Sequence, residues 1–127
     1  MNTPLKIRIG DVLKRRKGVG LITHFGVVVG DNLILQNTPG KGEHAVTLKE
    51  FSAGGQIAVN RSNVHPNAIA HRASSLLQNP QKYDVFRNNC EHTVTKVVEG
   101  RAVSPQIAVW GLLAVLGGLI FLFSKKS

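Results

Sequence analysis

Residues Leu21 to Gln36 read LITHFGVVVGDNLILQ, and this stretch decides the fold. Leu21 to Val29 is apolar and rich in β-branched residues, which suits a strand. Gly30-Asp31-Asn32 carries the chemistry of a tight hairpin turn, and Leu33 to Gln36 forms the return strand. Two polar residues interrupt the hairpin: His24 lies mid-strand, and Gln36 ends the return strand as its expected cross-hairpin partner. Working outward, Ile7 to Leu13 alternates weakly and predicts the start of a strand. The basic run Lys14-Arg15-Arg16-Lys17 and Gly18 to Gly20 predict a turn. Asn37 to Gly42 reads as a loop, with His44 still in loop sequence. Thr47-Leu48-Lys49-Glu50 fits a capping box and opens a short helix ending near Gly54-Gly55. Ile57 to Asn60 and Tyr83 to Phe86 predict short strands. Pro66 suits the first turn of a helix that runs to about Gln78 and stops at Asn79-Pro80. Asn88 or Asn89 caps a helix from Cys90 to about Glu99, and Gly100 ends it. The class is α+β, with a small antiparallel sheet packed on helices.

The chain has 127 residues, one cysteine and a net charge of +9. A single cysteine excludes an intramolecular disulfide scaffold and a multi-cysteine zinc site. The average composition hides two parts. Residues 1–105 read as one water-soluble domain. Residues 106–127 contain Ile107 to Phe123, an apolar run without a charge. As a helix that run would span about 25 Å, the lower limit for a bilayer core. Trp110 near one end and Lys125 and Lys126 at the other suit a transmembrane tail anchor. A buried core helix is the competing reading, but the run has no polar stripe. Gly111, Gly117 and Gly118 could let two such helices meet in a homodimer. No apolar segment follows the N-terminus, so the expectation is a single-pass protein with its domain in the cytoplasm. The basic charge then points to anionic headgroups. Nucleic acid is not expected as a partner, because the aromatics do not interleave with the cations.

Cys90 is the first candidate for chemistry. At the first turn of a helix, the dipole favours a thiolate, and backbone N–H groups could bind an oxyanion. An inert buried cysteine is the competing reading. A thiolate needs a base, and His24 is the candidate. Gln36 could orient its imidazole, with His44 as the alternative orienter. His65 and His71 read as surface or packing residues. His92 turns away from Cys90 on the helix. No metalloprotease, phosphate-loop or dinucleotide motif is present, so neither a metal nor a cofactor is expected.

HFGVVVGDNLILQ, followed by NNCEHTV and GRAVSPQI, resembles the lecithin retinol acyltransferase-like family, a branch of the permuted papain-like cysteine enzymes with an NlpC-type fold. The resemblance covers roughly Gly10 to Gln106. It implies thiol acyltransferase or phospholipase chemistry on glycerophospholipids through an acyl-thioester. It also implies that Cys90 is the nucleophile and His24 its general base, and several family members carry a C-terminal membrane helix. The family's animal lipid enzymes end the second hairpin strand with histidine where this sequence has Gln36. Glutamine can hold an imidazole through its carbonyl but cannot carry a proton. A cysteine peptidase or amidase of the same fold, and a weakly active membrane-bound interaction domain, are therefore the alternatives.

Overall fold

The computed structural model describes residues 6–17 and 22–100. Among these residues five strands form one sheet: β1 (Val12–Lys17), β2 (Ile22–Gly30), β3 (Leu33–Thr38), β4 (Gly42–Val46) and β5 (Ala58–Asn60). Their order is β4-β3-β2-β1-β5, and every pairing is antiparallel. Three helices among the described residues pack with it in an α+β arrangement: α1 (Leu48–Ser52), α2 (Pro66–Gln78) and α3 (Cys90–Val98).

The sheet has an apolar layer on each side. One contains Val27, Val29 and Leu35 packed with Ile69 and Ala73 of α2 and with Val94 and Val97 of α3. The other contains Leu13, Val28 and Ile34 around Phe51 of α1, whose side chain is fully buried. Neighbouring residues of one strand serve opposite layers, as the period of two requires. Gly26 is needed for the second layer. A Cβ there would lie 2.6 Å from a Phe51 ring carbon and 2.7 Å from Ile34 Cγ2.

Local signals are met by local structure. Thr47 and Glu50 form the capping box of α1. His65, expected only as a surface or packing residue, caps α2 by accepting the Asn67 N–H at Nδ1, 3.0 Å. Arg72 of α2 donates to the Val97 and Val98 carbonyls, 3.0 Å each, and closes the C-terminal end of α3.

Four expectations are corrected. The basic run is strand rather than turn, because β1 lies between β2 and β5, with Lys14 paired to both Phe25 and Ala58. That strand starts at Val12, not Ile7, since Gly10 turns the chain at φ 97° and the Asp11 carboxylate accepts the Arg8 N–H. The loop expected around His44 is β4, reached by a tight turn. Gly42 at φ 69° permits it, and a Cβ there would strike the Gln81 carbonyl oxygen at 2.7 Å. Residues 83–86 form no strand. Asp84 accepts the Phe86 and Arg87 N–H groups in a turn, which also holds its carboxyl below the usual range. The apolar run 107–123 lies outside the described residues. Among those described, no helix is long and apolar enough to cross a membrane.

Candidate active site

Cys90 is the first residue of α3, and its position is set by the asparagine before it. The Asn89 side-chain oxygen accepts the Glu91 and His92 N–H groups at 2.9 and 3.1 Å. The Asn89 N–H in turn donates to His92 Nδ1, 3.0 Å. This reciprocal cap fixes the first turn. The cap takes up two of the first-turn donors, the Glu91 and His92 N–H groups. His92 serves the cap and is buried, and burial holds it below the ordinary imidazole value despite the opposing charge of Glu91.

The loop before Cys90 is held from the sheet. Asn37 of β3, fully buried, donates to the Asn88 carbonyl at 2.8 Å and to Thr93 Oγ1 at 3.1 Å. Glu43 of β4 accepts from the Gln81 N–H, from Thr93 Oγ1 and from Lys96 Nζ, at 2.8, 2.7 and 2.7 Å. Its carboxylate is buried in full while Lys96 keeps 27% of its side chain exposed. With these bonds made, the N-terminal end of α3 lies against the start of β2. Cys90 Sγ is 3.9 Å from the carbonyl of Thr23, the residue preceding His24.

On the opposite side of β3 and β4 lies a second polar row. His24 is 3% exposed and stacks on Phe51, ring centroids 5.2 Å apart. His24 Nε2 is 2.9 Å from Gln36 Oε1, Gln36 Nε2 is 3.0 Å from His44 Nε2, and His44 Nδ1 is 2.8 Å from the Gly42 carbonyl. The roles follow from the far end. A carbonyl oxygen only accepts, so His44 Nδ1 carries a hydrogen. The neutral ring then has its lone pair on Nε2, which accepts from the Gln36 amide N–H. Gln36 Oε1 accepts from His24 Nε2–H, which leaves the His24 lone pair on Nδ1. His24 thus has the tautomer that can take a proton from a thiol at Nδ1 while its other nitrogen stays anchored.

Gln36 and His44 were alternatives in the sequence; the structure joins them in series. Nor does Gln36 stand directly across from His24. The β2–β3 pairing runs from Gly30–Leu33 to Val27–Leu35, and His24 and Gln36 meet beyond its end through their side chains. Sequence reasoning missed Phe51, Asn37 and Tyr83. Asn37 had one local signal, an asparagine directly after an apolar strand. Tyr83 is half-buried, and burial first and then the charge of Cys90 raise its phenol above the usual value. Among the described residues, no group of His, Cys, Asp and Glu could hold a metal ion. His71, on α2, is exposed and belongs to neither row.

Residues 44–103 match the family model described as lecithin retinol acyltransferase. Over that segment the chain is similar to the lecithin retinol acyltransferase family. The matched segment is just under half the chain and contains β4 from His44 onward, β5, α1, α2, α3 and Cys90. His24 and Gln36 lie before it, on the β2–β3 hairpin. No curated protein matches the chain. That likeness suggests acyltransferase- or hydrolase-type activity.

Proposed function

We propose that the protein is a cysteine-dependent phospholipase or acyltransferase that acts on glycerophospholipids through an acyl-thioester, on a permuted papain-like fold. The observation that carries this reading is the hydrogen-bonded row behind His24, which leaves Nδ1 as the basic atom on the strand beside which Cys90 Sγ lies. His24 Nδ1 takes the Cys90 proton, and the sulfur attacks the ester carbonyl carbon. The tetrahedral intermediate expels the lysophospholipid alkoxide, which receives that proton from His24. Water or an amine then attacks the thioester, and Cys90 is regenerated. Gln36 keeps His24 in register throughout.

The tail 106–127 is proposed as a single-pass anchor that holds residues 1–105 on the cytoplasmic face of a membrane, with Lys14, Arg15, Arg16 and Lys17 drawn to anionic headgroups. Its glycines could also bring two copies together. Neither a metal nor a cofactor enters this scheme. A second reading, an amidase or peptidase on the same fold, is favoured by one feature: a neutral glutamine supports the base. Incubation with phosphatidylcholine vesicles and intact-mass measurement tests the choice. One added acyl mass on Cys90, removed by hydroxylamine, is expected. Failure to acylate, with turnover of short peptides or amides, would overturn the lipid reading.

A further inference from the structure

The geometry points to His44 as a positioning residue whose own protonation switches the site. The lone pair on its Nε2 sets which way the Gln36 amide faces. This inference rests on His24 acting as the partner of Cys90. When His24 takes the thiol proton, both of its ring nitrogens carry hydrogens, and Nε2–H needs an acceptor. Gln36 Oε1 supplies it, 2.9 Å away, only while the amide N–H is turned to His44. A proton on His44 Nε2 places two donors face to face across 3.0 Å. The amide relieves that clash by inverting. It then presents N–H to His24 Nε2, which must accept, and His24 is held as the Nδ1–H tautomer. That form cannot take the thiol proton at Nδ1. His44 cannot evade the clash by turning its other nitrogen, because Nδ1–H is engaged with the Gly42 carbonyl.

Charges around His44 come from each side. Glu50 of α1 interacts with both His44 and Lys41 of the β3–β4 turn; its own carboxyl lies below the usual range, first through its bonds to Thr47. His24 lies beyond Gln36. On the reverse face of β4, Glu43 is committed to Lys96, Thr93 and the Gln81 N–H.

The test uses alkylation of Cys90 by iodoacetamide in the full chain, read by intact mass from about pH 8 to 5, where imidazoles titrate. His44→Gln keeps an acceptor for Gln36 without titrating; His44→Lys is a permanent donor. The ratio of parent to His44→Gln rates should fall roughly ten-fold on acidification, the scale of one buried hydrogen bond. His44→Lys should be slower than parent by a similar factor at pH 8, and His44→Gln should recover most of that loss. A pH-independent ratio, or His44→Lys reacting like the parent, overturns the inference. Should the variants not fold, ¹⁵N spectra of the parent decide. His24 should exchange its Nε2–H for Nδ1–H as His44 gains its proton, and an unchanged His24 tautomer is fatal to the switch. None of these measurements uses lipid. A working switch without acylation by phosphatidylcholine would sink the lipid reading alone, and acylation without a switch would sink this one.

Discussion

Adjacent residues of the same two strands do opposite jobs. Gln36 and His44 form one row with His24 on the α1 side. Asn37 and Glu43, one step away on each strand, bond to the loop and helix that carry Cys90 on the α3 side. The α3-side network joins the Glu43 carboxylate and the Lys96 cation to the Asn37 amide and the Thr93 hydroxyl, whose roles are fixed by the Asn88 carbonyl and the carboxylate, groups that only accept. Its bonds have one arrangement and hold a helix in place. The α1-side row is built from imidazoles and an amide, each of which can exchange donor for acceptor. Its bonds have two arrangements, which suits proton transfer. The difference is one of chemistry rather than burial, since His24, Gln36, Asn37 and Glu43 are all at most 9% exposed.

The strongest way to break the comparison is at the reacting atoms. Cys90→Ser and His24→Ala should each lower acyl-thioester formation by more than about a thousand-fold, with the urea midpoint little changed. A residual rate within ten-fold of the parent would remove these residues from the chemistry. Next is the fixed network. Glu43→Ala strands Lys96 and frees three donors, and should cost about 3 kcal/mol by urea unfolding, the low end for breaking a buried pair because Lys96 is partly exposed. A cost below about 1 kcal/mol would mean that α3 is held by apolar packing alone. Smaller is the effect of Gln36→Leu. It should slow Cys90 alkylation roughly ten- to a hundred-fold through loss of the His24 tautomer, while stability falls by no more than about 2 kcal/mol. Equal alkylation rates would show that His24 orients itself. Smallest is a pH effect on the cap. His92 binds its proton less readily folded than unfolded, so its destabilising contribution is absent above about pH 6.5 and grows as pH falls through that value. The urea midpoint of His92→Gln should therefore decline less than the parent's between about pH 7 and 5.

Much of this was legible locally. The hairpin turn, the Thr47 capping box, the Pro66 to Gln78 helix and the Asn89 cap before Cys90 are each written in neighbouring residues, and each forms where those residues predict. Cys90, His24 and Gln36 could be named for the same reason. What could not be read depends on pairing between distant segments. GEHAV is too short and polar to announce β4, which forms because β3 offers an open edge. The join between Gln36 and His44 follows from that pairing. The stack of Phe51 on His24 needs Gly26 to lie beneath the ring. Helix geometry alone does not tell which first-turn N–H groups of α3 the Asn89 side chain takes; it takes those of Glu91 and His92.

Arg72 has a mechanical meaning. The chain leaves α3 past Val98, and Arg72 clasps the final carbonyls of that helix from α2. Cys90 sits at the other end, about 12 Å along the axis. A tug on the chain beyond residue 100 meets the clasp first and is shared with α2. Strain introduced at the exit is thereby kept from travelling down the helix, and the sulfur stays in register with β2 while whatever follows is pulled or released.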